Sequence, residues 1–196
     1  MKLLKNSGRQ LVKTLFVCGV LSAMGVAPLF AQIYLGSLVS NKGTITIGDK
    51  TFSNFGYVAS LADASELNAD AAGLSVSAFI GSDGVYYLDF SGGLTVNNLN
   101  GSINLLGDLK LTYTVTANPG SIVMIDQQYT PVASATPASG QIIIGETVKN
   151  NALVIVGNST LTLNPPDLSD PPAEAGDNLN FGPEHVLYVT KDIVIA

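Results

Sequence analysis

Hydrolytic triads need a histidine to move a proton, and this chain of 196 residues holds a single one, His185. No Gly-x-Ser-x-Gly elbow accompanies it, and a lone histidine beside a run of β-formers reads as a strand-edge residue. Zinc takes sets of thiolates and imidazoles, which one histidine and one cysteine (Cys18) cannot supply. Neither a P-loop nor a Gly-x-Gly-x-x-Gly fingerprint is present, so phosphate has no cradle. Calcium asks only for oxygens. Asp167, Asp170, Glu174 and Asp177 share one proline-rich stretch with Glu184 close by, but their spacing matches no calcium loop, and a solvated acidic loop is expected. Paired carboxylates would suit a glycosidase, yet fifteen acidic residues form pairs by chance. Sugar sites add stacking aromatics. Tryptophan is absent, and Tyr57, Tyr86, Tyr87, Tyr113, Tyr129 and Tyr188 read as strand packing ahead of a sugar-lined groove. Asn158-Ser159-Thr160 fits a glycosylation acceptor and reads as a turn. No catalytic, cofactor-binding or metal residue is therefore assigned, no cofactor is expected, and the chain is not expected to be an enzyme.

The elements that would carry any site are strands. Leu109-Lys110-Leu111-Thr112-Tyr113-Thr114-Val115-Thr116 alternates apolar and polar residues without a break, the period of a strand with one dry and one wet face. The leucines, Tyr113 and Val115 are expected to face a core, and Lys110 and the threonines water. Weaker copies of this pattern recur along the chain. Thr44 to Ile47 and Thr51 to Val58 flank the turn residues Gly48-Asp49-Lys50 and predict a hairpin. Leu74 to Ile80 and Val85 to Phe90 flank Gly81-Ser82-Asp83-Gly84 in the same way, and Gly92-Gly93 marks a bend. Ile122 to Ile125 suits a strand covered on both faces. Ile142 to Ile144 and Leu153 to Val156 predict two more strands, the second prolonged past a bulge at Gly157-Asn158. Val186 to Val189 and Ile193 to Ile195 predict one terminal strand or two. Ser60 to Ala72 alone is helix-like, capped from Ser60 and Asp63 and ended by Gly73. Tyr129 to Gly140 and Asn164 to Pro183, both proline-bearing, read as loops. The expected fold is all-β: an antiparallel β-sandwich of about nine or ten strands with at most one short helix.

The first 31 residues read differently. Lys2, Lys5, Arg9 and Lys13 precede an apolar run from Leu15 to Ala27, Pro28 breaks it, and Ala31 offers a small residue before Gln32. That is the layout of a secretory signal peptide, cleaved near Ala31, with Cys18 a small apolar residue inside the run and not a lipidation site. A single domain over 32–196 follows. Without the leader no cysteine remains to form a disulfide, so the fold must rest on its core, for which about 165 residues suffice. Five lysines (Lys42, Lys50, Lys110, Lys149, Lys191) then face fifteen acidic residues, a net charge of −10. Nucleic acid and anionic lipid both require a basic surface, so neither is an expected partner, and no membrane association is expected once the leader is gone.

Three stretches carry a likeness. Ile45-Thr46-Ile47-Gly48-Asp49-Lys50-Thr51-Phe52-Ser53-Asn54-Phe55, Gly107-Asp108-Leu109-Lys110-Leu111-Thr112-Tyr113-Thr114-Val115 and Leu187-Tyr188-Val189-Thr190-Lys191-Asp192-Ile193 resemble strands of secreted bacterial proteins of the PEP-CTERM sorting-signal type. The sorting signal itself, a Pro-Glu-Pro followed by an apolar span and a basic tail, is missing; Pro183-Glu184-His185 leads into a strand instead. The resemblance implies export by a bacterium with an outer membrane, commonly one that makes exopolysaccharide, and supplies no catalytic residue. The expectation is a secreted, non-enzymatic structural or interaction protein of the cell surface or biofilm matrix. Its partners would be exopolysaccharide or other surface proteins. The alternatives are a carbohydrate-binding module and, more remotely, a secreted hydrolase.

Overall fold

Tyr113 sits at the centre of the protein, ringed by Phe52, Phe55 and Phe90 with ring centroids 6.3, 6.4 and 6.0 Å away. It belongs to β7 (Gly107–Ala117), whose Leu109, Leu111, Tyr113 and Val115 are all buried, as the alternation predicts. A computed structural model describes residues 9–17, 33–60, 64–92, 94, 107–130, 142–163 and 179–195. Among them are twelve strands in two six-stranded sheets that pack face to face. The fold is an all-β sandwich.

One sheet runs in the order β10 (Ile155–Leu163), β9 (Ile142–Asn150), β12 (Val186–Ile195), β7, β4 (Lys50–Ser60), β3 (Ile45–Ile47), and every pair in it is antiparallel. Two strands were harder to foresee. The terminal segment is one continuous strand, because Lys191-Asp192, which interrupts the apolar pattern, lies mid-strand with Lys191 turned inward. In β4 the register slips between Ser53 and Gly56; this bulge drops Phe55 into the core and lets Asn54 (φ 51°) donate to Thr114 Oγ1 at 3.2 Å. Thr114, expected to face water, is thereby covered.

The facing sheet has the order β11 (Leu179–Glu184), β8 (Ser121–Thr130), β1 (Arg9–Val17), β6 (Tyr86–Ser91), β5 (Ser75–Ile80), β2 (Ile33–Tyr34). Tyr86, Leu88 and Phe90 alternate inward as expected. β11 corrects the loop expected through Pro183. That proline is tolerated because β11 is an edge strand whose register against β8 jumps between Asn180 and Glu184. β1 departs from antiparallel pairing: it lies parallel to both neighbours, Val12 opposite Tyr86 on one side and Ile125 on the other. These residues fall within the stretch read as a leader, so the strand that separates β6 from β8 would leave with it.

Among the described residues there are two helices where at most one was expected. α1 (Leu35–Ser40) is a short turn of chain pinned by Leu35 and Leu38, both buried. α2 (Ala64–Gly73) is the foreseen helix, held by Leu67 and Ala71 one turn apart and closed by Gly73. Ser60 does not cap it, being the last residue of β4. The hairpin β9–β10 corrects another expectation: Asn151-Ala152 make its turn, Leu153 and Val154 lie in the connection that follows, and with Ile155 they are exposed at 65%, 58% and 53%. Cys18, the cleavage position at Ala31, the asparagine turns at 97–101, and the loop residues Asp167, Asp170, Glu174 and Asp177 lie outside the described residues.

Candidate functional site

Lys191 stands where the strand period demands an apolar side chain, in line with the buried Leu187, Val189 and Ile193 on the inner face of β12. Its directly opposed partner on β9 is Glu146, which likewise interrupts an aliphatic inner row between Ile144 and Val148. Both side chains are sealed: Lys191 and Glu146 are each 2% exposed. Lys191 Nζ forms an ion pair with Glu146 Oε1 at 2.7 Å. From the opposite sheet, Gln127 on β8 reaches across the core, and Lys191 Nζ donates to its Oε1 at 3.1 Å. The Gln127 amide hydrogens are also placed, with Nε2 donating to Ser159 Oγ on β10 at 2.9 Å and to the Ile144 carbonyl at 3.2 Å. Four strands thus converge on one carboxamide. The cluster bridges the two sheets at the β8/β9/β12 side of the sandwich.

The second buried lysine opens β4. Read from the sequence as part of a turn, Lys50 is fully buried, because the hairpin β3–β4 folds back at Gly48 and swings the next strand inside. Gly48 sits at φ +55°, where a Cβ would meet Tyr86 Oη at 2.5 Å. Lys50 Nζ contacts Asp49 Oδ2 at 2.7 Å and lies 4.8 Å from the centre of the Tyr86 ring. Burial pushes the Asp49 carboxyl upward, but bonds from Lys50 and Tyr86 together with the lysine's charge outweigh it, and Asp49 titrates below the usual carboxylate value. Tyr86 moves the other way, raised by burial and by the Asp49 carboxylate it bonds. On the outer face of the same sheet Asp108 is raised as well, by burial and then by the charge and hydrogen bond of Asp192.

Of the residues weighed in the sequence, Tyr86 and Ser159 belong to these clusters. His185 is exposed in the link between β11 and β12, and its carbonyl accepts from the Ala117 amide at 2.9 Å. Tyr86 and Tyr113 are buried; Tyr87 is stacked on Phe79 at 4.8 Å with its hydroxyl donating to Asp83. Asn158-Ser159-Thr160 is strand, not turn, and Ser159 serves the buried glutamine. Among the described residues no group of three or more His, Cys, Asp or Glu is placed to hold a metal ion, and no helix is long and apolar enough to cross a membrane. Comparison with protein-family models, with curated proteins and with solved structures gives no match. The sequence held one signal for the inner cluster: a lysine and a glutamate each set in a row of inward aliphatic residues. The pairing between them is visible only once the register of β9 on β12 is known.

Proposed function

We propose that this chain is a non-enzymatic structural or interaction module of an exported bacterial protein. One observation carries the reading: the groups best suited to chemistry, Lys191, Glu146 and Gln127, are turned toward one another between the sheets at 2–4% exposure, where no dissolved substrate reaches them. A site that acts on an outside molecule needs a concave opening onto its polar groups. A cluster that spans the interior is placed to hold two sheets together. Support from the sequence comes from the leader-like first 31 residues, the acidic balance and the likeness to exported β-domains. The partners that fit this reading are exopolysaccharide and other surface proteins.

The test is expression of the full chain, with a C-terminal tag, in a bacterium with an outer membrane. The expected outcome is a chain shortened at its N-terminus and recovered with the envelope or the medium. Retention of the full-length chain in the cytoplasm contradicts the proposal. Retardation in gels cast with the host's own polysaccharide would identify the sugar as partner; its absence, with capture of a surface protein, would identify the other class.

A further inference from the structure

The inner cluster contains every group needed to form an amide. Lys191 is a primary amine, Gln127 is an acyl donor with ammonia as leaving group, and Glu146 is a carboxylate in contact with the amine. The amine nitrogen lies 3.1 Å from the carboxamide oxygen and 2.7 Å from the carboxylate. Bonds from Gln127 Nε2 to Ser159 Oγ and to the Ile144 carbonyl fix which way the carboxamide faces, so its carbonyl is presented to the lysine. The lysine nitrogen is thus held beside the acyl group it would attack, and holding reactants together replaces a bimolecular encounter with an intramolecular step. A buried ion pair also gives little net stability over apolar packing of the same volume, so its position at the heart of an aliphatic layer has no evident purpose in packing alone. We propose that Lys191 and Gln127 join in a self-formed amide cross-link between the two sheets, with Glu146 carrying the protons.

The steps balance without oxidant or cofactor. Glu146 takes a proton from the Lys191 ammonium and frees its electron pair. Nζ then bonds to Gln127 Cδ, and the carbonyl pair moves onto Oε1. Glu146 returns its proton to Nε2; the Oε1 pair reforms the carbonyl, and the Cδ–Nε2 bond breaks so that ammonia leaves with that pair. The surplus proton on the new amide nitrogen passes through Glu146 to the ammonia. The net change converts one ammonium side chain and one primary amide into one secondary amide and one ammonium ion. Exclusion of water at this depth keeps hydrolysis from competing for the acyl centre. The product ties β8 of one sheet to β12 of the other across 64 positions of sequence. A chain with no cysteine beyond Cys18 would gain from it what a disulfide provides elsewhere. This inference does not depend on where the chain is exported.

The experiment is mass spectrometry of the purified full chain, intact and after trypsin. Lysines at 110, 149 and 191 define the expected product: a branched peptide joining 111–149 to 150–196, uncleaved at Lys191 and lighter by one ammonia than its two parts. Locating the loss on this peptide separates it from cyclisation of an N-terminal Gln32, which also sheds ammonia. Lys191→Arg and Gln127→Ala are expected to abolish the branched peptide, and Glu146→Gln to abolish or greatly slow it. Since those variants can fail to fold, the folded wild-type chain decides. Free 111–149 and cleavage at Lys191 overturn the proposal, as does a branched peptide lighter by one water. A folded Glu146→Gln chain that cross-links at the wild-type rate overturns the role of Glu146.

Discussion

At the scale of single residues, two carboxylates give the protein opposite responses to acid. Asp49 has its pKa lowered in the fold, so its contribution is present above the ordinary carboxylate value and is lost as pH falls through the folded one. Asp108 has its pKa raised, so it penalises the folded chain at neutral pH, and the penalty fades as pH falls and the group takes up its proton. Asp49→Asn is therefore expected to cost about 1–3 kcal/mol at pH 7, with the deficit shrinking below about pH 4. Asp108→Asn is expected to stabilise by about 0.2–1 kcal/mol at pH 7, with the gain shrinking in acid. Thermal unfolding of the wild type and both variants from pH 3 to 8 checks the two signs. A gain on losing Asp49, or a loss on losing Asp108, contradicts the assignments. None of this was legible in the sequence. Lys50 reads as a turn residue and Lys191 as a break between two apolar runs because lysine ordinarily seeks water, and only the partners at 2.7 Å explain their burial.

At the scale of elements, what was legible followed the clarity of the two-residue period. β7 and β6 alternate cleanly, and both place their apolar faces as predicted. β12 carries the same period, but Lys191 fills an inward position with a charge, which splits the pattern in two on paper. Leu153-Val154-Ile155 fails in the other direction. Three consecutive apolar residues suggest a core strand, whereas Asn150 builds a tight turn beneath them, its Oδ1 accepting from the amides of Ala152 and Val154 at 3.1 Å each. Composition does not reveal which side of a turn is wet. β1 yields a prediction of its own. In the full chain its backbone pairs with β6 and with β8, so removing residues 1–31 opens a gap between them. Hydrogen exchange on the chain starting at Gln32 should show faster exchange in Tyr86–Ser91 and Ser121–Thr130 than the full chain does, with β7 and β12 unchanged. Equal protection in both chains would mean that the two edges meet once the leader is gone.

At the scale of the whole molecule, the charged chemistry points inward and an apolar tip points outward. On the proposed reading as an interaction module, the tip gives a surface prediction. Replacing Leu153, Val154 and Ile155 with serine removes no core contact, so the melting temperature should hold while association with envelope or matrix falls. A drop in melting temperature with association intact would assign the tip to folding instead. The three stretches that carry the likeness to exported bacterial proteins fall on β3–β4, β7 and β12, adjacent strands of one sheet. They could not indicate the inner cluster, since three of its four residues, Gln127, Glu146 and Ser159, lie outside them.

The most direct test of this division is the accessibility of the lysines. In the folded full chain an amine-reactive reagent should label Lys42, Lys110 and Lys149, which are exposed, and leave Lys50 and Lys191 untouched; unfolding should open Lys50 to the reagent, and Lys191 only in chains where the amide has not formed. Peptide mapping of the labelled, folded protein reads all five at once. Labelling of Lys191 at the rate of Lys110 would mean that the inner cluster is open to solvent, and would contradict the account of this protein as a sealed sandwich.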